Sequence, residues 1–169
     1  MDPNSNALGQ QWRQTSKFAV YDLSETTSPK NIFQAAERGD VEHINIFVDS
    51  SIEFDINQKD SMLRTALHWA AEMGRLEVAQ LLLEYGCDVN ISECNGRTAV
   101  HLAARALDVD MLQLLLGGLD PQEQEKLVNQ PDKHGITPMY LVVQRVNESQ
   151  AALDLMLKCG GKYSAEVTY

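Results

Sequence analysis

Positive charge is scarce in this chain: 14 Lys and Arg stand against 24 Asp and Glu, a formal net charge of −10. A phosphate backbone is repelled by such a field, so nucleic-acid binding is disfavoured. Cysteine is scarce too. The three present, Cys87, Cys94 and Cys159, are an odd number with no Cys-x-x-Cys spacing, which argues against a disulfide framework or a zinc ribbon. No apolar run reaches the length of a membrane span, and the opening Met-Asp-Pro-Asn-Ser-Asn holds no apolar signal segment. These absences predict a reduced intracellular setting, cytoplasmic or nuclear, without membrane contact.

Motifs for chemistry are missing as well. There is no Gly-x-x-x-x-Gly-Lys-Ser/Thr to cradle phosphate, no Gly-x-Ser-x-Gly and no His-Glu-x-x-His. His43 and His134 have no neighbours at metal-ligand spacing. The expectation is a chain that is not an enzyme and that needs no cofactor and no metal. Aromatics are few, at 7%, as suits a core built by leucine and alanine.

What is present is a repeat. Thr65-Ala66-Leu67-His68-Trp69-Ala70-Ala71 returns as Thr98-Ala99-Val100-His101-Leu102-Ala103-Ala104, 33 residues on. A weaker copy opens at Thr137-Pro138-Met139-Tyr140, with Tyr140 in place of histidine and Val142-Val143 in place of the alanine pair. The weakest is Asn31 to Ala36, followed by Gly39. An apolar run recurs as Ile46 to Val48, Leu81 to Leu83, Leu114 to Leu116 and Leu155 to Leu157. Asn57, Asn90 and Asn129 each precede a repeat threonine by eight residues.

Each unit has a physical reading. The threonine suits a helix N-cap, and Pro138 fits the first turn that follows. Paired alanines let helices approach closely. The leucine run marks a second, antiparallel helix, whose polar stripe Glu77, Gln80 and Glu84 meets water. Glu42, Asn45 and Asp49 repeat that stripe. Gly86 and Gly160 sit where a left-handed cap ends the second helix. Asn95-Gly96 and His134-Gly135 mark tight turns.

This pattern resembles the ankyrin repeat, with its Thr-Pro-Leu-His-x-Ala motif and 33-residue period. The resemblance spans residues 30 to 163. It implies an all-α solenoid of about four helix-turn-helix units with β-hairpin or loop fingers, near 30–61, 62–95, 96–134 and 135–163. Residues 1–29 form an arm and 164–169 a tail. The arm's first eleven residues are polar and expected to be mobile. Trp12, Phe18 to Tyr21 and Leu23 then form an apolar patch that either covers the first unit or docks a partner. Ser28-Pro29 is read as the cap opening the first helix in preference to a phosphosite.

Departures locate insertions. Thr98 and Thr137 are 39 apart, so six extra residues fall between Leu116 and Asn129, where Asp120-Pro121-Gln122-Glu123 predicts a capped short helix. About two more fall near Ser51 to Phe54 and two near Asn147 to Ser149. Met62-Leu63 replaces the glycine turn at the first fingertip and puts its geometry in question.

The resemblance also implies the binding surface. Fingertips carry Ser61, Met62 and Arg64, with Leu63 between the last two, then Cys94, Asn95 and Arg97, then Lys133, His134 and Ile136. Inner-helix positions carry Glu72 and Met73, Arg105 and Ala106, Gln144 and Arg145. Met62, Leu63 and Met73 offer an adaptable apolar spot, and Arg64, Arg97, Arg105 and Arg145 spread cations along it. Trp69 is an anchor candidate, with packing between units as the alternative. Met62 and Leu63 are read equally as interface or as packing. His68 and His101 are expected to tie hairpins together. The implied function is binding another protein, as a monomer by itself, in the manner of small solitary ankyrin proteins that regulate kinases. The alternative is the recognition domain of a larger scaffold, channel or enzyme.

Overall fold

The computed structural model describes residues 28–163. The arm's apolar patch and the tail lie outside the described residues. From Asn31 onward the described chain forms one compact unit.

Four helix pairs run through it. They are α1 (Ile32–Arg38) with α2 (Val41–Asp49), and α3 (Ala66–Glu72) with α4 (Leu76–Glu84). α5 (Ala99–Ala106) follows with α6 (Val109–Gly117), and α8 (Pro138–Val143) with α9 (Gln150–Lys158). The extra residues of the third unit form α7 (Pro121–Asn129). Asp120 caps it, accepting from the Gln122 and Glu123 amides at 2.8 and 2.9 Å. No residue described is in a strand, so the fingers are loops and not β-hairpins.

The first helices stack in the order α1, α3, α5, α8, and the second helices in the order α2, α4, α6, α9. The small pairs make this possible: Ala35-Ala36, Ala70-Ala71 and Ala103-Ala104 are buried where successive first helices meet. Between the layers lie Leu67, Leu82, Leu112, Leu115 and Leu116, all buried. Each such leucine contributes roughly 1.5–3 kcal/mol on burial. The stripe Glu77, Gln80 and Glu84 stays exposed. Gly86 and Gly160 adopt positive φ of 84° and 83°, as a helix stop of this kind requires.

One expected boundary shifts. Helix α1 opens at Asn31, whose side chain accepts from the Gln34 amide at 2.9 Å, and not at Ser28-Pro29. The Asn31 carboxamide oxygen reaches an orphan N–H of the first turn, so the helix begins there.

The repeated asparagines link units. Asn57 Oδ1 accepts from the Asp88 amide at 2.8 Å, and Asn129 Oδ1 accepts from the Lys162 amide at 2.7 Å. Asn90 turns back instead and donates to Asp88 Oδ1 at 3.1 Å. The residues one period beyond it begin α7, so its expected partner is gone.

Candidate functional site

Three fingers project between the helix pairs, and each is closed by a carboxylate. Asp60 accepts from the Arg64 backbone amide at 2.9 Å while its own amide donates to the Arg64 carbonyl at 2.9 Å. Asp132 does the same with Ile136, at 3.0 and 2.8 Å. Glu93 closes the middle finger in the same way: its Oε1 accepts from the Arg97 amide at 3.4 Å and its own amide donates to the Arg97 carbonyl at 2.9 Å. These three acids sit five residues before Thr65, Thr98 and Thr137, a spacing present in the sequence that our reading of it missed. Burial would raise the Asp132 and Glu93 carboxyls. For Asp132 the Ile136 amide and the Arg97 guanidinium overcome burial, and for Glu93 the Cys94 thiol and neighbouring amides do so. Both are held below the ordinary carboxylate range.

The fingers are laced to one another. The Cys94 amide donates to the Met62 carbonyl at 3.0 Å, and the Lys133 amide to the Asn95 carbonyl at 2.9 Å. The first fingertip keeps the turn of the others despite lacking glycine. Leu63 takes φ of 60° where Gly96 and Gly135 take 80° and 76°.

Histidines hold the fingers from below. The Thr65 amide donates to His68 Nδ1 at 3.1 Å, which leaves the proton on Nε2 to be donated to the Arg97 carbonyl at 3.1 Å. His101 closes the same box on Thr98, but its Nε2 is buried without a hydrogen-bond partner among the described residues, so of the two only His68 ties its finger to the next. Burial pushes both imidazoles below their ordinary value, so both are neutral in neutral solution. Tyr140, at the same place in α8, is exposed and makes no such link among the described residues.

The charged candidates meet in a belt across three units. Glu72 accepts from Arg64 Nη1 at 2.6 Å and from Arg105 Nη2 at 2.7 Å. Arg145 Nη1 donates to the Arg105 carbonyl at 2.6 Å and its fork grips Glu148. Glu148 was not among our sequence candidates. Arg97 stands apart and donates from Nε to Asp132 at 3.0 Å. Each arginine is therefore positioned by an acid of this chain.

The apolar candidates divide. Trp69 is half-buried against the core, donates from its indole to Asp60 at 3.0 Å, and carries the Arg64 guanidinium 4.9 Å above its ring. Met62, Leu63 and Met73 are exposed by 47%, 49% and 41%. Gln144 is exposed and Ile136 half-buried, its amide and carbonyl both spent on Asp132. Cys87 and Cys159 are buried, and burial pushes the Cys87 thiol up to about 11. Among the described residues no group of three His, Cys, Asp or Glu side chains stands ready for a metal ion. No described helix is long and apolar enough to cross a membrane.

Helix pairs stacked in two layers, capped by Thr–His boxes and joined by loop fingers, match one family. The model of ankyrin repeats in many copies fits residues 32–83 and 67–116. The chain belongs to the ankyrin-repeat family. Ankyrin repeats are in general non-catalytic protein-protein interaction modules. Among relatives of this ankyrin chain is the probable 26S proteasome regulatory subunit p28 of Saccharomyces cerevisiae, 30% identical over 131 residues, 76% of this chain and 54% of that one. The Notch-regulated ankyrin repeat-containing protein A of Danio rerio is 29% identical over 78 residues, 44% of this chain and 70% of that one. The palmitoyltransferase akr1 of Schizosaccharomyces pombe is 38% identical over 60 residues, 36% of this chain and 9% of the enzyme. The chain spans under a tenth of such longer relatives.

Proposed function

We propose that this chain is a non-catalytic regulatory subunit that holds a partner protein, a protein kinase or a similar complex first of all, in an intracellular setting. The partner lies along the fingertips and the inner-helix ends. The observation that carries this reading is the exposed trio Met62, Leu63 and Met73 beside the Arg64–Glu72–Arg105 belt. Methionine adapts to varied partners, and arginines already oriented by Glu72 lose little side-chain freedom on docking. The laced fingers make the surface rigid, which lowers the ordering cost further. The relative p28 is described as a regulatory subunit, which agrees with a role inside a larger assembly.

The test is recovery of the tagged full chain with its bound proteins. Met73→Ser combined with Arg105→Gln is expected to lower recovery at least tenfold with no more than the small drop in Tm that loss of the Arg105–Glu72 pair brings, and a recovered kinase is expected to change activity when the chain is withheld. Recovery indifferent to those changes, but lost on Gln113→Glu in the second-helix layer, places the interface on the other face and ends this reading.

A second reading takes these repeats as the recognition part of a longer scaffold, channel or enzyme. The match to 9% of akr1 favours it.

A further inference from the structure

Leu63 is the one non-glycine residue at the left-handed position of the three fingertips, with φ of 60° against 80° at Gly96 and 76° at Gly135. A leucine is costly there, because its Cβ crowds the following carbonyl, and glycine removes the crowding. Burial returns only part of that cost, since Leu63 is about half exposed and absent from the core. Strain of this kind concentrates at binding sites.

We infer that Leu63, with Met62 and Met73, is an anchor site for a partner segment in which an apolar side chain stands beside a carboxylate. This rests on the proposed interaction surface and names the chemistry of what it takes. The acidic half of the inference comes from how charge is distributed on this edge. The finger carboxylates are withdrawn: Glu93 and Asp132 are 5% and 6% exposed, and Asp60 already accepts from the Met62 and Arg64 amides and the Trp69 indole. The cations remain accessible. Arg97 is half-buried but, among the described residues, donates only from Nε, which leaves both Nη groups for a partner. Arg105 and Lys133 are exposed. A chain of net charge −10 thus shows a partner cations at its fingertips and hides the acids there. A guanidinium with spare N–H donors favours a carboxylate, and the bond strengthens when a docked apolar side chain sheds water from the exposed trio.

A displayed library of random 12-residue peptides, selected against the intact chain, tests this. Enriched clones are expected to carry Leu, Ile, Phe or Met within two positions of Asp or Glu. Leu63→Gly is expected to weaken those clones at least tenfold while Tm rises, and Arg97→Gln to weaken them with a steeper loss at low salt. A structural role for Leu63 alone does not produce weaker binding by a more stable protein. Clones without acidic enrichment, clones that bind Leu63→Gly undiminished, or no enrichment at all overturn the inference. Clones that keep binding both variants but lose it on Gln113→Glu overturn the proposed surface as well. Clones rich in Lys or Arg that still need Met73 leave the surface standing and remove the acidic partner.

Discussion

Arg97 reaches from the second finger to the third and donates from Nε to Asp132 at 3.0 Å, onto a carboxylate wholly removed from water. Asp132 also takes the His134 and Ile136 amides, at 2.8 and 3.0 Å. Removing it orphans two amides and a guanidinium at once. Asp132→Ala is expected to cost about 2–4 kcal/mol in urea unfolding. A loss below about 0.5 kcal/mol, the range of ordinary surface changes, means water replaces the carboxylate easily.

Glu72 is shared by Arg64 and Arg105, at 2.6 and 2.7 Å. All three side chains retain contact with water, so the coupling is modest. A double-mutant cycle on Glu72→Ala and Arg105→Ala is expected to give about 0.3–1 kcal/mol, shrinking in strong salt. A coupling that salt leaves untouched points to packing instead of charge.

At the first fingertip, Leu63→Gly relieves left-handed strain of roughly 1–2 kcal/mol and gives back part of it as unfolded-chain entropy. A net gain of about 0.5–1 kcal/mol, seen as a higher Tm, is expected. A lower Tm shows that Leu63 packing outweighs its backbone strain.

Acid acts through His68 and His101, both held below the ordinary value of 6.5 by burial. Above 6.5 they are neutral folded and unfolded, and both Thr–His boxes are intact. As pH falls below 6.5 the unfolded chain takes up protons first, so stability declines until the folded imidazoles also protonate. Urea midpoints at successive pH values are expected to drop through this window, with a shallower drop in His101→Gln. A flat profile between neutrality and the carboxylate range refutes it.

Gly161 abuts its neighbours closely. A Cβ there meets Met139 Sδ at 2.6 Å and the Met156 carbonyl at 2.7 Å, and that carbonyl belongs to a helix that cannot yield. Gly161→Ala is expected to cost about 1–3 kcal/mol by overpacking. Gly118→Ala, with nothing within 4 Å, serves as the near-neutral control. Equal Tm values for the two changes contradict the close approach.

Most of the helical framework was legible beforehand. The recurring motif placed Thr65, Thr98 and Thr137 at helix starts, and the structure has each as an N-cap. The Asp120 cap was readable because its signal is local: a cap, a proline and a glutamate within one turn. Ser28 misled for the same reason, since Asn31 offers a rival cap three residues later and only packing chooses between them.

The candidate surface was less legible. The positions of Arg64, Arg97, Arg105 and Arg145 follow from their short offsets from the repeat threonines, but their partners do not. Glu72 is eight residues from Arg64 and 33 from Arg105, and Asp132 is 35 from Arg97. Such pairs form only when units stack. The closing acids Asp60, Glu93 and Asp132 vary in identity, which hid their common offset.

The order of the chain alone determined that short helix pairs would recur, because capping, small-residue pairs and leucine runs act within a few turns. Stacking decided which charges are hidden and which face a partner, and whether a leucine would bear a turn made for glycine. Those outcomes depend on groups about one repeat apart, brought together only once neighbouring units bury their shared faces.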